Sequence, residues 1–282
     1  MTVPARPPGS DADPLTPLAE LPGVPAAIDA ARTTVDRLYR HRMMRRRHPE
    51  VAAEAALRGA RASAALAGAD WGLEEVRRRS DFGGDPAART VGAALRMTAE
   101  TGELVGVWRG SPLRVLARLH LLAAGGTAAD PVGRPRRAGE PVTEEGLPAE
   151  LGAVPDAGEV AARLDALARL VVGGSSAPAL VTAAVVHGEL LTLRPFGAHN
   201  ALVARAAERV ALVSGGLDPK AVAPAEVGHA ERGASAYGRA LAGYASGTPA
   251  GVAAWIEHCA AAVALGARES TAVCEALQRG AA

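Results

Sequence analysis

Aromatic side chains are scarce in this chain of 282 residues: three Trp, three Tyr and two Phe make up 3% of it. Apolar residues nonetheless reach 49%, most of them Ala, Leu and Val. A core without large rings must come from close approach of elements carrying small side chains, which suits helix against helix and disfavours β-rich folds. Cysteine is nearly absent too. Cys259 and Cys274 stand 15 residues apart on a stretch that reads as one helix, so a rise of about 1.5 Å per residue separates them by roughly 22 Å and excludes a bond. No third Cys exists to build a thiolate metal site, which leaves two ordinary buried thiols in a reducing compartment. No window holds 18 consecutive apolar residues, and the Pro, Gly and Asp of the first residues break any signal-peptide core. The expected location is therefore cytoplasmic, with no membrane partner. A net charge of +1 gives no overall pull toward nucleic acid or anionic lipid.

What is present is helical rhythm almost throughout. Residues 1–24, with Pro4, Pro7, Pro8, Pro14, Pro17 and Pro22, read as a disordered tail. Residues 25–282 read as a single domain, with N-terminal helices over 25–110 and a main body over 111–282. Ile28, Ala31, Val35 and Leu38 repeat at helical spacing. Ser111-Pro112 and Asp156 mark helix starts, Gly125-Gly126 and Gly173-Gly174 mark stops, and Thr248-Pro249 opens the last helix. A long apolar helix runs from Ser176-Ala177-Pro178 to Leu193, where Pro195 disfavours a helical Arg194. Only Gly133 to Pro155, with five prolines counting Pro131, lacks the rhythm. It reads as a loop or short hairpin, with Val142-Thr143 and Leu151-Val154 as its two strands. The fold class is all-α, with at most that one small hairpin.

The stretch that carries chemical information is Leu193-Arg194-Pro195-Phe196-Gly197-Ala198-His199-Asn200-Ala201-Leu202-Val203-Ala204-Arg205. It resembles the signature of the Fic (Fido) family, His-Pro-Phe-x-Asp/Glu-Gly-Asn-Gly-Arg-x-x-Arg, whose typical members transfer AMP from ATP to a protein hydroxyl. In that register Pro195, Phe196, Asn200 and Arg205 are kept. Arg194 stands in the place of the catalytic His, Ala198 in that of the metal-binding acid, His199 and Ala201 in those of the two glycines, and Leu202 in that of the first Arg. The resemblance extends over roughly residues 55 to 270, through Val185 to Leu193, Gly215 to Asp218, Tyr237 to Gly247 and Trp255 to His258. Upstream, Ser63-Ala64-Ala65-Leu66-Ala67-Gly68 is similar to the Ser/Thr-x-x-x-Glu-Gly/Asn inhibitory helix of self-restrained members. There the Glu pairs with the second motif Arg; here its place is Ala67. The resemblance implies a Fic-like helical bundle, a hairpin flap within 133–155, and Ala67 facing Arg205.

The substitutions remove the chemistry one requirement at a time. A guanidinium cannot act as a base near neutral pH, so Arg194 cannot accept the target hydroxyl's proton. Ala198 offers a hard cation no oxygen, and Leu202 cannot pair with a γ-phosphate. No catalytic residue is then intact, no metal site is expected, and no cofactor is required. What remains, Arg194, His199, Asn200 and Arg205, makes an anion or nucleotide subsite around one helix N-terminus, with Arg194 and Arg205 on a shared cleft. Alongside stand plainer roles: Phe196 as a core plug, Asn200 as a helix cap, Arg205 as a surface charge. His187, His199 and His120 lie on separate segments without a ligand pattern, although His199 has a suitable reference pKa for a base. The leading expectation is a pseudoenzyme that binds a protein partner or a second copy of itself. The alternative is an active nucleotidyltransferase or phosphotransferase with a rearranged site, using ATP and Mg²⁺. A third reading rests on the cluster Arg40-His41-Arg42-Met43-Met44-Arg45-Arg46-Arg47-His48, whose five arginines could follow a phosphate backbone. No aromatics interleave them, so nucleic acid is not the expected partner.

Overall fold

The structure, a computed structural model, describes residues 13–125, 131–143, 147 and 151–280. Fourteen helices and no strand lie among them. In order they are α1 (Thr16–Ala19), α2 (Val24–Arg40), α3 (Arg42–Arg46), α4 (His48–Leu66), α5 (Leu73–Arg78), α6 (Pro86–Ala99) and α7 (Thr101–Trp108). There follow α8 (Pro112–Ala123), α9 (Ala157–Gly173), α10 (Ala179–Leu193), α11 (Asn200–Ser214), α12 (Ala225–Arg232), α13 (Ala234–Ala245) and α14 (Pro249–Gln278).

The caps follow the chemistry of their residues. Asp156 accepts from Glu159 N–H at 2.9 Å and Thr248 from Gly251 N–H at 3.2 Å, each relieving an orphan amide of a first turn. Ser111 precedes α8 as expected but makes no side-chain cap, so Pro112 alone sets that start. Part of the expected tail is ordered: Leu15 is buried, and Asp13 accepts from both Ser175 and Ser176 hydroxyls at 2.8 Å, which draws this stretch onto the start of α10. Pro17 fits because it stands in the first turn of α1, where no N–H is needed, and Pro14 lies ahead of the N-cap Leu15. Residues 1–12 lie outside the described residues.

Small residues set the packing. α14 is 30 residues long, and α2, α10, α12 and α13 all pack on it. By length and composition it could cross a membrane, but its apolar surface has partners within the chain, and Trp255, Ile256, Cys259 and Val263 are enclosed. A Cβ at Gly228 would stand 2.5 Å from Ala262 Cα, so only glycine lets α12 lie so close to α14. α10 is mostly apolar, with His187 and Glu189 as its ionisable exceptions, and packs against α11 and α14. One core cluster links residues from Leu15 to Leu277.

The expected hairpin is absent among the described residues. The Pro-rich segment instead passes beside the loop between α10 and α11 as turns and irregular backbone, with Arg136 N–H donating to Pro195 O at 2.8 Å and Thr143 N–H to Gly197 O at 2.7 Å. Prolines at 135 and 141 remove the alternate donors a ladder would need, so single bonds to the loop replace strand pairing. Residues 144–146 and 148–150, between the two expected strands, lie outside the described residues.

Candidate functional site

The loop between α10 and α11 is fixed by its own residues. Pro195 cannot continue α10, and Arg194 ends it in the left-handed conformation with φ 47° and ψ 61°. Asn200 then closes the loop on itself: its Oδ1 accepts from Phe196 N–H at 2.9 Å and its Nδ2 donates to Phe196 O at 2.8 Å. Asn200 is thus a loop clamp and the first residue of α11, not its cap; His199 holds the cap position, and its side chain accepts from no amide of the first turn. Phe196 fills the core, stacked on the His120 ring at 4.1 Å, as the plainer reading expected. His199 takes φ 62°, a conformation that a glycine would hold without the Cβ strain of about 1 kcal/mol or more.

The two motif arginines do not share a cleft. Arg194 is 1% exposed, and its guanidinium donates to Ala153 O at 2.6 Å and Gly152 O at 3.3 Å. Arg205 is wholly enclosed, with Nε donating to Ser63 Oγ at 2.9 Å and Nη2 to Ser63 O at 2.8 Å. Burial is the reason: away from water a guanidinium is driven to place its donors on nearby oxygens, here carbonyls and a hydroxyl of the fold, although Arg205 Nη1 makes no hydrogen bond of ordinary geometry. Ala198 is half-buried and Leu202 lies in the core. Of the expected subsite, His199 lines a cleft. That cleft encloses about 700 Å³, lined also by Asp81, Phe82, Arg89, Thr90 and Arg96.

The inhibitory-helix register brings Ser63 to Arg205, on the last turn of α4. Ala67 follows as the half-buried C-cap, and Gly68 takes φ 89° as the chain turns away. Asp70 and Glu74, the acids nearest in sequence, are paired elsewhere: Asp70 with Arg61 at 2.6 Å and Glu74 with Arg77 at 3.2 Å. Ser63, rather than a carboxylate, is what holds Arg205.

Sequence reasoning missed a second polar cluster. His187, Glu208, His229 and Cys259 come from α10, α11, α12 and α14, and all four are buried. His187 Nδ1 and His229 Nε2 each stand 2.9 Å from Glu208 Oε2. Tyr237 OH is 2.7 Å from His187 Nε2, and His258 Nε2 is 3.1 Å from His229 Nδ1. In sequence His187, His199 and His120 show no ligand pattern; the structure groups His187 with other residues, and each of those looks like ordinary helix filling in one dimension. Burial lowers the pKa of His187, with Glu208 opposing it in part, and lowers that of His258 to about 3. Burial would raise Glu208, but His187 and His229 outweigh it and keep the carboxyl ionised. Burial, and then Glu208, push the Cys259 thiol well up.

Elsewhere the basic cluster is split by the fold. Arg40 ends α2, His41 caps α3 by accepting from Met43 N–H at 3.2 Å, and Met43 and Met44 are buried. Arg42, Arg45 and Arg46 are exposed, while Arg47 pairs with Glu50.

No family model and no curated protein sequence matches the chain. Among solved structures, a Fic family protein from Desulfovibrio desulfuricans G20 is similar at a TM-score of 0.68 and 21% identity, over 95% of this chain and 77% of that one. At that identity the likeness concerns the path of the backbone, and this all-α chain therefore has the fold of a Fic family protein.

Proposed function

We propose that this chain is a Fic-fold pseudoenzyme that has lost AMP-transferase chemistry and serves as a binding or scaffold protein, with a protein partner or a second copy of itself. The observation that carries the reading is the inward closure of the motif arginines. Arg194, in the place of the base, is tied to the carbonyls of Gly152 and Ala153, and Arg205 is tied to Ser63. A group enclosed this way cannot meet a nucleotide without first breaking charge-assisted bonds. Ala198 and Leu202 add no ligand for a metal or a γ-phosphate. Weak anion affinity is assigned to the His199 cleft, where Arg89 and Arg96 line the same wall.

Incubating the purified protein with cell lysate, labelled ATP and Mg²⁺ tests this directly. The expected result is no labelled target and no autolabelling, both for the wild type and for Arg194→His, because transition-state charge would still be unsupported. Labelled bands that depend on this protein would overturn it. Nucleotide weakly held and displaced by inorganic phosphate, with weakening on Arg96→Gln, fits the binding reading.

A further inference from the structure

The buried cluster at the centre of the helices has the composition of a metal centre. Two imidazole nitrogens, a carboxylate and a thiol, one from each of four helices, place their donor atoms within 4.8 Å of one another. Two of those groups are not satisfied by the protein. His187 Nδ1 stands 2.9 Å from Glu208 Oε2 without the alignment of a hydrogen bond, and no hydrogen bond of ordinary geometry reaches Glu208 Oε1. A buried polar atom without a partner costs about 1–3 kcal/mol and calls for an explanation. The far nitrogen of each ring, by contrast, is held: His187 Nε2 by Tyr237 OH and His229 Nδ1 by His258 Nε2. That division, one nitrogen anchored and the other turned to a shared centre, is how ligating histidines are oriented.

We infer that His187 Nδ1, Glu208, His229 Nε2 and Cys259 Sγ form a tetrahedral site for a borderline-soft dication of the zinc class. Bonds of about 2.0–2.3 Å suit this N₂OS donor set, and four protein ligands leave no open position, so the ion's role is to tie α10, α11, α12 and α14 together. The motif loop supplies no ligand, and the inference does not depend on the pseudoenzyme reading.

The protons decide how such an ion enters. Arg232 Nε can only donate, and it donates to His258 Nδ1 at 3.0 Å. A neutral His258 then carries its proton on Nε2 and gives it to His229 Nδ1, which leaves the proton of His229 on Nε2, facing Glu208. In that state a proton occupies the line the metal would take. Metal binding needs both rings to switch tautomer, so that His229 Nδ1–H donates to His258 Nε2 and His258 Nδ1–H points outward. Each ring keeps one proton, Cys259 releases one, and Arg232 must give up its bond. Arg232 is exposed and able to swing away. It therefore acts as a latch against the ion.

The chelator-treated full chain, titrated with Co²⁺ and then Zn²⁺, tests the site by absorption. The expected result is one saturating equivalent with the intense visible bands of tetrahedral Co²⁺ and a near-ultraviolet thiolate-to-metal band, all removed by Zn²⁺. Cys259→Ser should lose the thiolate band and Cys274→Ser should keep it. Arg232→Ala, at the surface and safe for folding, should bind Co²⁺ roughly fivefold tighter, since about 1 kcal/mol of opposing hydrogen bond is gone. Three results would each overturn the inference: no saturable tetrahedral spectrum from the wild type, a thiolate band that survives Cys259→Ser, or Arg232→Ala binding no tighter than wild type.

Discussion

Replacing Ser63 by Ala takes one hydroxyl from beneath Arg205 and leaves the Ser63 carbonyl in place. The guanidinium is wholly enclosed, so its Nε–H, now 2.9 Å from Ser63 Oγ, would face no acceptor. A hydrogen bond to a charged group contributes about 1.5–3 kcal/mol. At about 2 °C per kcal/mol for a chain of this size, Ser63→Ala should melt roughly 3–6 °C lower. Arg205→Met keeps most of the volume but removes both bonds to Ser63, and should cost about 3–5 kcal/mol by the same reckoning. The two effects should overlap, because each variant breaks the same Nε–Oγ bond. Urea unfolding of the two single variants and the double variant should therefore give a coupling of about 1–2 kcal/mol. A coupling under about 0.3 kcal/mol, the level of independent sites, would refute the contact and with it the placing of α4 against the motif helix. The same numbers bear on activity assays: loss of signal in an Arg205 variant would reflect an unsettled fold before it reflected lost chemistry.

Stability should also fall as the solution is acidified, through the buried histidines. Burial brings the pKa of His258 to about 3 and, with His199, that of His120 to about 4, both below the ordinary 6.5. Their contribution is complete above pH 6.5 and is lost as pH falls toward those folded values, each adding a slope of up to about 1.4 kcal/mol per pH unit. Urea midpoints measured from pH 7.5 to 4.5 should drop steadily, and His120→Gln should flatten the curve; a midpoint constant over that range would contradict the burial of both rings. Gly228→Ala should cost well over 2 kcal/mol by driving α12 off Ala262, where the new Cβ would meet backbone that cannot move alone. Thermal melts within about 2 °C of the wild type would show that the two helices are not so closely packed.

The chain's helical class was legible because it depends on local pattern. Ala and Leu at helical spacing, Asp156 and Thr248 ahead of their first turns, and Pro195 after Leu193 each act on neighbouring residues, and each acts as expected in the structure. Phe196 as a plug and the approach of the Ser63 turn to the motif helix were also within reach, through order and spacing along the chain. Side-chain direction was not. Arg194 and Arg205 look alike in sequence, as cations near one helix start, yet each turns to a different set of oxygens because burial leaves it no water. The hairpin was misread for a related reason: whether a Pro-rich segment pairs with itself or with a loop from elsewhere depends on what lies beside it. The His187, Glu208, His229 and Cys259 cluster shows the limit most clearly, since its members are separated by between 21 and 30 residues along the chain and share no motif. Only the crossing of four helices, set by small residues such as Gly228, brings their donor atoms together.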